Sequence, residues 1–335
     1  MAAGISAGGQ EMKMAFLHSE NDFTVELLRE LRRKLAQHEV LAWATGETPP
    51  AHDLDVLLSI GEVRREQMAG QPKLALIQTA STGYESVDID AATELGIWVS
   101  YAPSDVTGNA TSVAEFAVLL LLGASRHLGE AVESLRNDAV KLSRLNPVLK
   151  GKTVCIVGLG SIGQRLVERL RPFGVHMVAT DEHPELAPGD ITAFPADQLE
   201  TAVVDADYVV ICVRASKENE NLINASMLRA MKRGAILVNI ARGMLIDESA
   251  LLAAVENGQI SAAGLDVLRK EPPDPKNPLM ELPQVLITPH IAGFTDLTLS
   301  GTVNYIAQVV EDFAAGKKAK SILNAPQKPR RALRE

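Results

Sequence analysis

The chain has 335 residues, 46% of them apolar and 22% charged, with a formal net charge of −9. That length supports two domains with sizeable cores, and the composition is that of a globular chain rather than a disordered or fibrous one. The negative balance disfavours non-specific binding to nucleic acid or to an anionic membrane, so an anionic ligand needs a locally positive pocket.

The opening MAAGISAGGQEMKM lacks a basic segment followed by a long apolar core, so no secretory signal is expected. Residues 1–12 read as a disordered leader. From residue 13 to about 105 the chain alternates MAFL, an amphipathic helix over residues 23–37, then VLAW, DVLLSI, LALIQTA and IWVS. Such alternation predicts a small α/β unit with parallel pairing and helices covering the sheet. PSDVTG at 103–108 is punctuation and a candidate hinge.

A long helix is expected from about Asn109, with Ser112-x-x-Glu115 as a capping box in its first turn. A second helical stretch is expected through the 130s to Leu145. The most apolar run, residues 116–125, is too short to span a bilayer and is expected in a core or a subunit interface. TVCIVG, HMVATD, YVVICV, AILVNIA, AAGLDV and VLITPH then read as successive strands. Their near-continuous apolar character suits a parallel sheet covered on both faces. A last amphipathic helix is expected over residues 299–315, followed by a polar, basic end that reads as frayed. The two cysteines, Cys155 and Cys212, fall in these apolar strands as packed thiols, which suits a reducing, cytoplasmic setting.

The segment from Thr153 to Asp181 combines a strand, a glycine turn, a helix and a second strand ending on an acid. In Gly158-x-Gly160-x-x-Gly163 the first glycine permits the tight turn, the second admits a pyrophosphate, and the third lets the helix approach the sheet. Ser161 and Ile162 open that helix, which offers N–H groups and the positive end of its dipole to phosphates. Asp181 is placed to accept hydrogen bonds from both hydroxyls of an adenosine ribose. Its carboxylate repels a 2′-phosphate, and Glu182-His183-Pro184 supplies no Arg or Lys to hold one, so NAD is favoured over NADP. A dinucleotide domain over 106–293 is thus inserted in the middle of the chain. The ends, 13–105 and 294–335, come together as a second domain. No metal site is expected.

Three further segments lie at strand ends, where open α/β sheets place their ligands: Asn239-Ile240-Ala241-Arg242-Gly243, Gly264-Leu265-Asp266-Val267 and Thr288-Pro289-His290-Ile291-Ala292-Gly293. Glu271 follows the second. His290 is the candidate acid/base, because imidazole gives and takes a proton near neutral pH. Glu271 is its candidate partner, favouring the protonated ring, and the planar fork of Arg242 suits a carboxylate. Taken singly, each has a plainer reading: a core histidine, an Arg paired with Asp247 or Glu248, and a solvated turn acid. Their convergence on one dinucleotide fold reverses the balance.

The chain resembles the D-isomer-specific 2-hydroxyacid dehydrogenases, which include glyoxylate/hydroxypyruvate reductases and phosphoglycerate dehydrogenase. The resemblance runs over about residues 74–324 and rests on STGYESVDIDAATELGI, TGNATSVAE, LKGKTVCIVGLGSIG, VNIARGMLIDESAL, GLDV..KEPP and VLITPHIAG. It implies two Rossmann-like, doubly wound α/β domains with parallel sheets, NAD(H), and a small 2-oxo or D-2-hydroxy acid. His290 would donate a proton to the ketone, Glu271 would partner it, and Arg242 would anchor the carboxylate. The amides of Thr82 and Gly83 would bind that carboxylate from the outer domain. Val213, Ile240, Ala241, Asp266 and Gly293 would line the cofactor path. A homodimer through helices at 109–145 is also implied.

Departures carry information. Arg214 and Ala215 follow ICV, where the family usually has Pro and Leu. The outer loop TASTGYES has no Lys or Arg for a substrate phosphate, which argues against phosphoglycerate. Glu271 stands where formate dehydrogenases carry Gln. The chain stops soon after the last helix, with no room for an appended regulatory domain. The alternative from another class is an NAD-sensing scaffold or corepressor on the same fold.

Overall fold

The computed structural model describes residues 10–136 and 145–334. The chain divides into two units, Met1–Asn109 with Phe294–Glu335, and Ala110–Gly293. In chain order the elements are β1 (Lys13–His18), α1 (Asp22–Lys34), β2 (Glu39–Ala44), β3 (Val56–Ser59), α2 (Arg65–Ala69), β4 (Leu76–Thr79), α3 (Ile89–Glu94) and β5 (Trp98–Ser100). Next come α4 (Asn109–Ser125), α5 (Leu128–Arg136), β6 (Thr153–Val157), α6 (Ser161–Leu170), β7 (His176–Asp181), β8 (Thr192–Pro195), α7 (Leu199–Val203) and β9 (Tyr208–Ile211). The chain continues through α8 (Ala225–Ala230), β10 (Ala235–Asn239), α9 (Glu248–Glu256), β11 (Ile260–Leu265), β12 (Val285–Ile287) and α10 (Asp296–Ala314).

The first unit is a parallel sheet in the order β2-β1-β3-β4-β5. Helix α1 begins where the sequence supplies a reciprocal cap: Asn21 Oδ1 accepts from Thr24 N (2.9 Å), and Thr24 Oγ1 accepts from Asn21 N (3.0 Å). Its Leu27 and Leu31 share a core with Ile306, Val310 and Phe313 of α10. Helix α10 starts three residues before the expected Leu299, because Thr295 Oγ1 caps it by accepting from Thr298 N (3.1 Å). The basic end is not frayed as the sequence suggested. Trp98 Nε1 donates to Arg331 O (2.9 Å), Arg330 N donates to Gly96 O (2.8 Å), and Leu333 packs against the core.

The second unit is a seven-stranded parallel sheet, β12-β11-β10-β9-β6-β7-β8. Its strands serve two cores in alternation. Cys155, Val157, Val209, Ile211 and Leu237 face one, and Val154, Ile156, Val210 and Val238 the other. This two-sided burial explains their unbroken apolar character, and it pushes the Cys155 thiol up to about 12. Leu120, Leu121 and Ala124 of α4 fill the second core, so part of the apolar run at 116–125 is internal. No single helix among the described residues is long and apolar enough to cross a membrane.

Three further expectations need correction. Met12, placed in the disordered leader, is buried and its N–H donates to His38 Nδ1 (3.1 Å), while residues 1–9 lie outside the described ones. Ser112 lies inside α4 rather than at its cap, and Glu115 pairs with Arg169 at 3.0 Å. The second helix ends at Arg136 among the described residues, with Leu145 in irregular backbone; the stretch 137–144 lies outside them.

Asp207 fastens the amino ends of the central strands. Its carboxylate accepts from Thr153 N (3.0 Å) and Lys232 Nζ (2.7 Å), with Lys152 Nζ at 3.6 Å. Burial works against the charged carboxylate, but these donors and cations outweigh it and hold the pKa below the ordinary value. Because the folded-state pKa lies below the unfolded one, the stabilisation is complete above the unfolded carboxylate pKa. It is lost as pH falls through the folded value. Asp207→Ala is therefore expected to cost about 1–3 kcal/mol at neutral pH, with the gap from wild type closing as the pH falls below the ordinary carboxylate range. Urea denaturation at neutral pH and below that range checks this.

Candidate active site

The register aligns Ile287, Leu265, Asn239, Ile211, Val157 and Thr180 side by side across six strands. Just beyond this row lie Gly158, Asp181, Val213, Ile240, Asp266 and Thr288. The candidate residues of the second unit thus leave the sheet at one edge, that of the strand carboxyl ends. Chain order reverses between β6 and β9, which makes that edge a topological switch point.

Backbone proximity explains the glycines. Gly158 has φ +99°, and a Cβ there would lie 2.8 Å from Val213 N. A Cβ on Gly163 would lie 2.1 Å from Gly158 O, so only glycine lets α6 sit this close to the turn. At Gly160, the N-cap of α6, a Cβ would meet nothing within 4 Å. There the chain fronts open space beside N–H groups of Ser161, Ile162 and Gly163 that have no acceptor within the helix. Asp181 does more than the sequence implied. Its Oδ2 accepts from Leu159 N (2.7 Å) and its Oδ1 from His183 N (2.9 Å), tying the glycine turn to β7. Each oxygen retains a second lone pair. An open cradle, a helix N-terminus and a fixed carboxylate fit a dinucleotide.

The chemistry-bearing residues stand on the strand-end loops of β10, β11 and β12. His290 Nδ1 lies 2.7 Å from Glu271 Oε2, and Glu271 Oε1 accepts from Leu268 N (3.2 Å). Burial raises the cost of a charged Glu271. The His290 bond, the Leu268 N–H and the nearby Arg242 charge overcome it and hold the carboxyl below its usual pKa. The two side chains keep 44% and 37% exposure, so the ring remains accessible. His290 has φ +55°, a left-handed conformation that few side chains adopt.

Asp266 imposes that conformation. Its carboxylate, 1% exposed, accepts from Thr288 Oγ1 (2.7 Å), Ile291 N (3.0 Å) and Ala292 N (2.9 Å), clamping the loop on both sides of His290. Sequence reasoning placed Asp266 only along the cofactor path; its partners lie 22 to 26 residues away, so local pattern gave no signal. Asn239 does the same for Arg242: its Oδ1 accepts from Ala241 N (3.0 Å) and its Nδ2 donates to Arg242 O (2.9 Å). Asp247 caps α9, and Glu248 accepts from Arg269 N and Asn277 Nδ2. Ile240 and Ala241 are buried, and Val213 and Gly293 half-buried.

In the first unit, the loop after β4 is braced by its own hydroxyls. Thr79 Oγ1 donates to Ser81 O (2.8 Å), Ser81 Oγ to Gly83 O (2.6 Å), and Thr82 Oγ1 to Ala102 O (3.1 Å). The N–H groups of Thr82 and Gly83 have no acceptor among the described residues.

The doubly wound sheet and its glycine turn define a dinucleotide-binding domain, with the His290–Glu271 pair at its strand ends. Residues 118–292 match the family described as D-isomer specific 2-hydroxyacid dehydrogenase, NAD binding domain. A glyoxylate reductase from Thermococcus litoralis is 32% identical over 306 residues, covering 86% of this chain and 91% of that protein. A D-3-phosphoglycerate dehydrogenase from Mycobacterium leprae is 38% identical over 278 residues, covering 82% of this chain and 52% of its own. The chain spans about half the length of the phosphoglycerate dehydrogenases it matches. A solved structure of NADPH-dependent glyoxylate/hydroxypyruvate reductase from Sinorhizobium meliloti, in complex with NADP and malonate, superposes with a TM-score of 0.82 at 27% identity. That match covers 96% of this chain and 100% of the other. The chain belongs to the D-isomer specific 2-hydroxyacid dehydrogenase family.

Proposed function

We propose that the protein is an NAD(H)-dependent 2-hydroxyacid dehydrogenase acting chiefly as a reductase of a small 2-oxo acid. The observation that carries this reading is the 2.7 Å His290–Glu271 pair on the same sheet edge as the glycine turn. Gly158, Gly160, Gly163 and the first turn of α6 hold the pyrophosphate, and Asp181 the ribose. A bound nicotinamide supplies the hydride. His290 then gives its proton to the ketone oxygen as an alcohol forms, and the ionised Glu271 favours the charged ring beforehand. Arg242 holds the substrate carboxylate. With no Lys or Arg in residues 79–86, the reading favours an unphosphorylated acid.

The D-isomer preference is tested by oxidation of D- and L-lactate and D- and L-glycerate with NAD. Reduction of NAD by D-isomers alone supports the assignment, and turnover of L-isomers at equal rate contradicts it. Asp181 supports NAD over NADP. Asp181→Ala is expected to raise kcat/KM for NADPH relative to NADH by about fivefold or more, as a like-charge repulsion is removed. It is also expected to lower Tm through loss of the bond to Leu159. An unchanged cofactor ratio would remove Asp181 from this role.

We also propose a homodimer. Leu119, Leu128, Val132 and Leu135 on α4 and α5 are exposed apolar residues, and sedimentation of the full chain tests whether they are covered by a second copy.

A further inference from the structure

We infer that the first unit carries a second ligand site, for a small organic anion with a phosphate monoester group, between the β3 and β4 connections and the C-terminal tail. A cavity of about 330 Å³ is lined there by Met12, Asp55, Pro72, Lys73, Ala75, Phe313, Arg330 and Arg331. That volume lies at the lower end of the range for small-molecule sites. Three of the lining residues are cations and one is an acid.

The two arginines are held without counter-ions. Arg330 Nη1 donates to the carbonyls of Gln71 (2.6 Å) and Leu74 (3.0 Å), and Arg331 Nη2 to that of Ala314 (2.8 Å). Neither has a carboxylate within 4 Å among the described residues. Burial lowers the Arg330 pKa, with no acid to offset it. Asp55 accepts from Lys13 N (2.9 Å), and Asp53 sits 3.0 Å from Lys13 and 3.8 Å from Lys73. The segment that supplies Arg330 and Arg331, residues 316–334, carries seven Lys and Arg and no acid, in a chain of net charge −9. Such a patch concentrates anions.

The site is also organised in advance. The Trp98 indole N–H donates to Arg331 O and Arg330 N donates to Gly96 O, fixing the tail, and the Arg331 guanidinium lies 5.2 Å from the Phe313 ring centroid. Binding therefore orders little that is not already ordered. Exposed Pro72 gives the cavity an apolar edge, backed by the buried Met12 and Phe313, which favours an organic anion over a bare one. None of these residues belongs to the dehydrogenase site proposed above.

Isothermal titration of the full chain with phenyl phosphate and with inorganic phosphate tests the inference. Saturable binding of both is expected, tighter for phenyl phosphate. Lys73→Gln, at a side chain 64% exposed, should weaken phenyl phosphate about tenfold, and adding Arg331→Gln should weaken it about tenfold more. Lys73→Arg should retain binding, and circular dichroism confirms that each variant is folded. Absence of saturable binding to wild type, tighter binding of inorganic phosphate, or equal affinity in Lys73→Gln would overturn it. Equal affinity would move the phosphate to another site, such as the glycine turn.

Discussion

Replacing His290 with Ala is expected to lower turnover by about 10²–10⁴-fold while leaving the dissociation constant for NADH near that of wild type. The ring is held by Glu271, and the glycine turn is built from other residues, so chemistry and cofactor binding separate. His290 sits at φ +55°, where Ala is strained. His290→Asn is the companion variant, because Asn tolerates that conformation and should keep the loop folded with the same loss of turnover. Glu271→Gln removes a charge that favours the protonated ring. It should therefore lower turnover in reduction while leaving the NADH dissociation constant near that of wild type. Survival of turnover in both His290 variants removes the residue from the mechanism.

The second large effect is expected at Gly243. A Cβ there would lie 2.0 Å from Leu268 C, 2.2 Å from Leu268 O and 2.3 Å from Arg269 N, all backbone atoms that no rotamer change can move. The loop bearing Arg242 and the loop leading to Glu271 are packed main chain to main chain at this point. Gly243→Ala should cost at least about 1–3 kcal/mol of stability through overpacking. It should also lower kcat/KM by about 10²-fold, because displacement of catalytic groups by about 1 Å is enough for that. Gly189→Ala, with nothing within 4 Å of the added Cβ, serves as the neutral control. A wild-type Gly243→Ala protein would mean that the two loops are not held in register by this contact.

The sequence was legible where chemistry and periodicity are local. The glycine spacing predicted the turn around Gly158, and the apolar runs located eleven of the twelve strands among the described residues. The missed strand, β8, is a four-residue edge element with no buried residue, so no apolar pattern marks it. What local pattern did not encode was contact at a distance. The bond from Leu159 N to Asp181, the clamp of Asp266 on the His290 loop, and the burial of the C-terminal tail against Trp98 all join segments far apart in the chain. The tail was misread for a physical reason. Arg330 and Arg331 look like solvated charges in sequence, yet they donate to the main-chain carbonyls of Gln71, Leu74 and Ala314. Helix starts were also displaced where a polar cap outweighed the apolar pattern, as at Thr295. For the candidate site the order is reversed: residue types named His290, Glu271 and Arg242, and the structure supplies the pairing and the supports.

The most direct test of the central claim is NADH oxidation by purified protein with glyoxylate, hydroxypyruvate, pyruvate, phenylpyruvate and 3-phosphohydroxypyruvate, each repeated with NADPH. The account predicts turnover on at least one small unphosphorylated 2-oxo acid, faster with NADH than with NADPH and lowered by about 10²-fold or more in His290→Ala. Tight NADH binding with no turnover on any member of the panel would contradict it, and would favour a nicotinamide-sensing scaffold built on the same fold.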